Sequence, residues 1–472
     1  MGRTRVIVAV VVAALVCAGA ASAVYAATRS TGPTTHELTI QVSDGTKLAC
    51  SIVLPGGSPP SGGWPGLLLF HGLGQTHDFM GNIATLAFAP AGFASLACDA
   101  RGTGDSGGKF GLDGPKEVQD ARDLFAWLTA RNDVSDTHLG AFGLSLGGAA
   151  VWNAAVAGVP FKAIVPAITW TSLGSALNPN GVPKAGEVAQ LAHEAPASSW
   201  DPSLAAARDD LLAGRVTAAV KSAEAARTSR SKLHSLSVPT LLLQGRHDFL
   251  FDLDQAIAAY KLLAGPKRLY LGDLGHAPAK NPQAEQLAFI AEVVGWFEHY
   301  LAGGPNLVGG GVELAHDPWN GRTSSYKSVP RTQHKSVNLP GAKGIAATGS
   351  VKRSVRLTGG PLETFGDGSV SIRYSGNSGA LKEIRAMVVV KGSSTPVTFG
   401  AARVTKRAGV LRIPLSDQAV LLPRGKRLVV TVGATTAGGV YSLVAGGSGS
   451  PSAIKIGRIT LNLSLLKRAV SK

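Results

Sequence analysis

The sequence predicts an α/β fold with a mostly parallel sheet and a helical insertion, followed by an all-β domain. Three observations predict it. Short apolar runs alternate with longer amphipathic stretches from residue 36 to about 302. An Ala- and charge-rich interlude interrupts that alternation over about 170–236. Beyond residue 315 the helical signal vanishes. At 472 residues the chain exceeds the size at which one core usually stops growing, which fits two domains and a cap. Hydrophobic residues at 45% and charged residues at 16% exclude a disordered chain.

Arg3 and Arg5 precede an apolar run from Val6 to Ala23 that ends in the small-residue sites Ala21-Ser22-Ala23 and Val24-Tyr25-Ala26. This is the pattern of a secretory signal over residues 1–27. Uncleaved, Val6 to Ala27 is long enough to anchor the chain in a bilayer. Either way the protein is expected outside the cytosol, secreted or associated with the cell envelope. Of the three cysteines, Cys17 falls in this segment, and Cys50 and Cys98 are left in an oxidising compartment where they could pair.

The runs HELTIQV (36–42) and TKLACSIVL (46–54), split by SDG, read as a hairpin. There follow GLLLF (66–70), a helix near 80–91, FASLAC (93–98), a helix over 115–130, HLGAF (138–142), a helix from Ser145 and a strand near FKAIVPAI (161–168). Strands alternating with helices imply a parallel sheet. After the cap, VPTLLLQG (238–245), a helix over 252–264, KRLYL (267–271) and a helix over roughly 283–301 complete a domain at 34–302. Residues 303–315 have the composition of a linker. Over 316–472, SVSIRY, AMVVV, PVTFGAARV, GVLRIPL, RLVVTV, GVYSLV and IGRITLNLSLL, separated by Gly, Pro and Ser, predict a β-sandwich of jelly-roll type.

The formal net charge of +16 is unevenly placed. Residues 316–472 hold 24 Lys and Arg against 5 Asp and Glu, and the residues before them 22 against 25. For an exported protein such asymmetry points to anionic envelope polymers or lipid head groups as a partner, not nucleic acid. A solvated basic surface is the plain alternative.

The stretch GAFGLSLGG (140–148) places Ser145 where a strand meets a helix, with Gly143 and Gly147 two residues to either side. That spacing permits the sharp turn that projects a hydroxyl above a sheet. A serine hydroxyl becomes a nucleophile only when a base takes its proton and donors stabilise the resulting oxyanion. Asp248 follows LLLQGRH and His276 follows LYLGDLG, so the acid and the base stand in loops after later strands, in the order this chemistry uses. Ser145 is then the nucleophile, His276 the proton carrier and Asp248 the group that fixes the imidazole tautomer. Singly, each has a plain reading as helix cap, turn residue or loop residue; their joint order carries the assignment. Asp252, Asp254 and Asp273 are rival acids and His247 a rival base, all less well placed at strand ends.

The oxyanion donors expected are the backbone N–H groups of Leu146 and of Leu73, the latter in His71-Gly72-Leu73-Gly74 after GLLLF. His71 reads as a residue that positions this loop, and His77 and Asp78 as the start of the next helix. DARGTGDSGG (99–108) lacks a P-loop lysine and the dinucleotide fingerprint. Histidines and carboxylates show no metal-ligand spacing. No cofactor and no metal are expected.

From residue 36 onward the chain resembles the X-prolyl dipeptidyl-peptidase and cocaine esterase (CocE/NonD-type) family of α/β-hydrolases. The resemblance rests on DGTKLACSIVLP (44–55), DARGTGDSGGKF (99–110), GPKEVQDARDLFAWL (114–128), the Ser145–Asp248–His276 order and the β domain that follows. It implies an α/β-hydrolase sheet with a helical cap and a jelly-roll-like domain, and a serine hydrolase that cleaves an ester or amide of a small molecule or peptide through an acyl-enzyme. Two positions depart from that family. Leu146 follows the serine where the family usually has tyrosine, and HGLGQTHD (71–78) lacks the tyrosine that usually lends its hydroxyl to the oxyanion hole. Xaa-Pro dipeptidyl-peptidase activity is therefore an alternative, as is a non-catalytic envelope-binding protein on a hydrolase scaffold. In this fold the second strand neighbours the fourth, so Cys50 and Cys98 are expected to be bridged, the alternative being two buried free thiols.

Overall fold

The computed structural model describes residues 32–194, 199–345, 349–358, 361–377, 382–434, 436–437, 439–441 and 454–467. The expected signal or anchor at 1–27 lies outside them, as does half of the expected strand GVYSLV (439–444). A ten-stranded sheet forms the first domain. Its strands are β1 (Thr34–Gln41), β2 (Lys47–Leu54), β3 (Trp64–Phe70), β4 (Ala94–Cys98), β5 (Val134–Leu144), β6 (Ala163–Ala167), β7 (Thr240–Gly245), β8 (Lys267–Gly272), β9 (Gly311–Ala315) and β10 (Thr323–Tyr326). Their order across the sheet is β1-β2-β4-β3-β5-β6-β7-β8-β9-β10. Neighbours from β4 to β9 run parallel, while β1, β2 and β10 pair antiparallel.

Every residue of β4, β6 and β7 is buried, as expected of parallel strands covered on both faces. Helices α1 (His77–Ile83), α2 (Pro115–Thr129) and α3 (Leu146–Val156) return the chain between strands. In α2, Pro115 opens the helix and Ala121, Leu124 and Leu128 fall on one buried stripe. The cap lies between β6 and β7 and consists of α4 (Leu173–Leu177), α5 (Ala185–Glu194), α6 (Pro202–Leu212) and α7 (Ala218–Ala225). After β7 and β8 come α8 (Leu253–Leu262) and α9 (Gln283–Ala302). On the β2–β4 pairing Cys50 stands opposite Cys98, and the two are joined by a disulfide.

The expected linker at 303–315 and the boundary at 316 need correction. Gly311–Ala315 is a strand that pairs in parallel with β8, and β10 folds back on it, so the hydrolase sheet reaches Tyr326. GVELA is too short to show a period, and the glycines before it carry a linker's composition; the free edge of β8 decides its structure.

The second domain contains β11 (Thr332–Ile345), β12 (Ser350–Arg356), β13 (Leu362–Ser375), β14 (Glu383–Val390), β15 (Pro396–Arg403), β16 (Gly409–Gln418), β17 (Leu421–Leu422), β18 (Arg427–Gly433) and β19 (Ile454–Leu466). They form two antiparallel sheets, β11-β19-β13-β16 with β17 beside β13, and β12-β18-β14-β15. Val370, Ile372, Ile413 and Leu461 from one sheet meet Val388, Val397, Val430 and Val432 from the other in a single core. The sequence does not single out β11 and β12. Both are edge strands, where lysine, arginine and proline are tolerated and discourage pairing with another chain.

Candidate active site

Between β5 and α3 the chain turns on Ser145, whose φ of 55° and ψ of −113° lie outside the regions that L-residues ordinarily occupy. Its N–H donates to the Ala167 carbonyl at 2.9 Å. The turn is tight enough to require both glycines. A Cβ on Gly147 would stand 2.0 Å from the Phe70 carbonyl oxygen, and one on Gly143 would stand 2.2 Å from that of Gly147.

The loops after β7 and β8 bring Asp248 and His276 to this turn. His276 Nδ1–H donates to Asp248 Oδ2 at 2.8 Å and the His276 N–H to the same oxygen at 3.1 Å. The other carboxylate oxygen accepts the N–H groups of Leu250 (3.0 Å) and Phe251 (2.9 Å), so the fully buried Asp248 has both oxygens satisfied. Ser145 Oγ–H donates to His276 Nε2 at 2.8 Å, and the Phe251 ring meets the imidazole edge to face at 5.0 Å. Burial alone would lower the His276 pKa. The charge and hydrogen bond of Asp248, with the charge of Glu187 on α5, outweigh burial and hold it above the ordinary histidine value. The structure thus brings Ser145, His276 and Asp248 into one hydrogen-bonded row.

The rival residues are engaged elsewhere. Asp252 accepts from Ser416 Oγ–H (3.0 Å) and the Asp417 N–H (3.2 Å), and Asp254 from Arg230 (2.6 Å). Asp273 accepts from the Lys280 N–H (3.0 Å) and His247 Nδ1–H (3.2 Å).

The loop after β3 is held by His71. Its Nδ1–H donates to the Gly72 carbonyl at 2.8 Å and its Nε2 accepts the Ala100 N–H at 2.9 Å. Burial lowers its pKa, which keeps Nε2 free of a proton and able to accept. Leu73 packs in the same apolar cluster as Leu146. Among the described residues neither backbone N–H donates to another protein group. His77 begins α1. It also joins Glu37 and Asp78 in a group whose ligand-type atoms lie within 4.8 Å of one another, where its ring nitrogens face Asp99 (2.9 Å) and Glu37 (3.0 Å) as ion pairs. The DARGTGDSGG turn folds on its own carboxylate: Asp99 accepts the N–H groups of His77 (2.6 Å) and Asp105 (2.9 Å), and Arg101 spans Asp120 (2.6 Å) and Asp44 (2.9 Å).

Three residues that hold the Asp248 loop carry no sequence signal of a site. Arg246, fully buried, donates to the carbonyls of Ala419 (2.9 Å) and Ala315 and to Glu363. Lys184, between the cap helices α4 and α5, donates to the carbonyls of Phe249 (2.9 Å) and Leu250 (3.2 Å). Gln418, at the end of β16, donates to the Asp248 carbonyl at 2.9 Å. Buried cations at 184 and 246 are visible only once the chain is folded, because nothing local separates them from surface lysines and arginines.

A parallel sheet of this order, with a serine on a strained strand-to-helix turn and an acid–histidine pair after later strands, defines an α/β-hydrolase. The family model of the X-Pro dipeptidyl-peptidase (S15 family) matches residues 44–278. With that match, the chain is an α/β-hydrolase of the X-prolyl dipeptidyl-peptidase/CocE-like kind. The structure is similar to a CocE/NonD family hydrolase from Staphylococcus aureus, 12% identical, with a TM-score of 0.66 over 94% of this chain and 98% of that one. It is also similar to an aminopeptidase from a marine sediment archaeon of the Thaumarchaeota (14% identical, TM-score 0.70, 92% and 97% covered). A third similar structure is an α-amino acid ester hydrolase (14%, TM-score 0.65, 92% and 97%). At these identities the likeness is one of fold, and it takes in the β domain. An uncharacterised 31.7 kDa protein of Escherichia coli is 31% identical over 102 residues, which are 21% of this chain; the chain spans 36% of that relative's length.

Proposed function

We propose that the protein is an exported serine hydrolase that cleaves a carboxylic ester of a small molecule through an acyl-enzyme. The observation that carries this reading is the 2.8 Å hydrogen bond from Ser145 Oγ to His276 Nε2, on a turn whose geometry leaves the hydroxyl above the sheet. In the first step Ser145 Oγ attacks the ester carbonyl carbon while His276 takes its proton, and Asp248 stabilises the imidazolium. The N–H groups of Leu146 and Leu73 receive the oxyanion. Collapse expels the alcohol, which leaves with the proton from His276. Water, deprotonated by His276, then releases the acid and restores Ser145.

Xaa-Pro dipeptidyl-peptidase activity is the second reading, and it is favoured by the family model that the chain matches. Leu146 and the loop HGLGQTHD weigh against it, because both stand where that family usually has a tyrosine. The basic β domain is proposed to hold the exported enzyme to anionic envelope material.

A fluorophosphonate probe followed by peptide mapping tests the nucleophile. Labelling at Ser145, lost together with turnover in Ser145→Ala, supports the reading; labelling at another serine, or activity retained in the variant, rejects it. Nitrophenyl esters run beside Xaa-Pro nitroanilides decide between the two substrates.

A further inference from the structure

We infer that the helical cap holds an aliphatic acyl-binding pocket, so that the substrates are esters of medium-length, uncharged, apolar carboxylic acids. The inference rests on the serine hydrolase reading above and names its substrate class. A cavity of about 50 Å3, several times the roughly 10–15 Å3 that one water needs, lies among the four cap helices and the loop after β3. Its walls include Leu73, Leu177, Val188, Leu191, Leu204 and Val220, and the surface they present to the space is wholly apolar.

The two ionisable residues at its wall are turned to other partners. Arg208 lies over the Trp200 ring at 4.8 Å and pairs with Asp209 at 2.8 Å. Glu224 accepts from the Asn178 amide, and burial pushes its carboxyl up to about 7. An acyl group that carries an ammonium or carboxylate would meet a wholly apolar surface in this space, and burying it there would be strongly unfavourable.

The position of the cavity ties it to the reacting carbonyl. Leu73, whose N–H is the proposed oxyanion donor, forms one wall. Leu73, Leu146 and Phe251, which packs on His276, belong to the same apolar cluster as the cavity walls. A carbonyl oxygen held by the Leu73 and Leu146 N–H groups would have the Leu73 wall of the cavity beside it, which leaves the acyl chain to extend between α5, α6 and α7. No such wall is needed for an acetyl group, which ends before it.

The test holds the alcohol constant and varies the acid: p-nitrophenyl acetate, butyrate, hexanoate and octanoate. A second series of acetates varies the alcohol. Burying a methylene is worth about fourfold in kcat/KM, so the acyl series should rise by about that factor per methylene until the pocket fills, and the alcohol series should stay flat. Leu191→Trp, at the half-buried rim, should lower the octanoate-to-acetate ratio of kcat/KM at least tenfold, and Val220→Phe deeper in the cap should act in the same direction.

A flat acyl series, a rise in the alcohol series instead, or an α-amino hexanoyl ester turned over faster than the hexanoate would each overturn the inference. Binding of octanamide to Ser145→Ala protein, measured by calorimetry and weakened about tenfold by Leu191→Trp, reads the pocket without turnover. No binding overturns the pocket even where esters are cleaved. Binding by a protein that cleaves no ester would support the pocket and reject the serine reading alone.

Discussion

Gln418, the last residue of a strand in the β domain, donates its side-chain N–H to the backbone carbonyl of Asp248 at 2.9 Å. Two residues earlier, Ser416 Oγ–H donates to Asp252 at 3.0 Å, the Ala419 N–H donates to the Arg246 carbonyl at 2.9 Å, and in the return direction Arg246 Nε–H donates to the Ala419 carbonyl at 2.9 Å. The loop that carries the acid of the site is therefore built from both domains.

Gln418→Ala should leave the buried Asp248 carbonyl without its donor, at about 1–3 kcal/mol, and let the loop drift. Because the acid acts only through His276, the expected loss is in kcat, about tenfold, with KM little changed. Steady-state kinetics alongside a thermal melt separate the two effects. A folded variant with unaltered kcat would mean that the loop stands without the β domain.

The pH dependence follows from the direction of the His276 shift. His276 must be neutral to accept the Ser145 proton, and its pKa is held above the ordinary value. The acid limb of kcat/KM should therefore lie above the roughly 6.5 of a free histidine. In Asp248→Asn burial, the largest influence, is opposed only by the charge of Glu187, so the limb should move down while the rate falls by about 10⁴-fold. A limb that stays in place would show that Asp248 does not set the imidazole's charge.

His71→Ala removes the side chain that joins the Gly72 carbonyl to the Ala100 N–H and so frees the loop that carries Leu73. If Leu73 N–H receives the oxyanion, kcat should fall toward the roughly 10²- to 10³-fold loss seen when one donor is removed. KM for a short ester should change little. A variant with a raised KM and unchanged kcat would place the loop in binding alone.

The Cys50–Cys98 bridge closes a loop with a sequence separation of 48 residues. On chain entropy its loss should destabilise the protein by about 4 kcal/mol. Alkylation of the unreduced, denatured protein should modify neither residue, and Cys50→Ser/Cys98→Ser should melt several degrees lower. Modification of both cysteines would exclude the bridge.

The charge of the β domain predicts retention of the full chain on vesicles that contain anionic lipid at low salt. Binding should be lost as salt rises, since the Debye length falls to about 8 Å at physiological ionic strength. Retention that ignores salt, or none at low salt, would leave the basic residues as a solvated surface.

That Ser145, Asp248 and His276 meet in one hydrogen-bonded row was legible because the pattern depends on local spacing and chain order. Two glycines flank a serine where a strand becomes a helix, and an acid and a base follow later strands. Each is a feature of chain order, and order survives without coordinates. The alternation of strands and helices, the cap and the shift to β structure were legible for the same reason: period and composition are read along the chain. What only the tertiary structure decided is what crosses it. GVELA became a strand because β8 offered an open edge, not because of anything within its five residues. Gln418 and Lys184 act on a loop far from them in sequence, Arg246 ties that loop to the distant Ala315, Glu363 and Ala419, and a buried lysine looks like an exposed one until its surroundings are assembled. The cavity follows the same rule, since leucines on four helices show hydrophobic spacing whether their meeting place is filled or left open. Local conformational preference is encoded residue by residue, whereas burial, pairing and empty space belong to the packed chain.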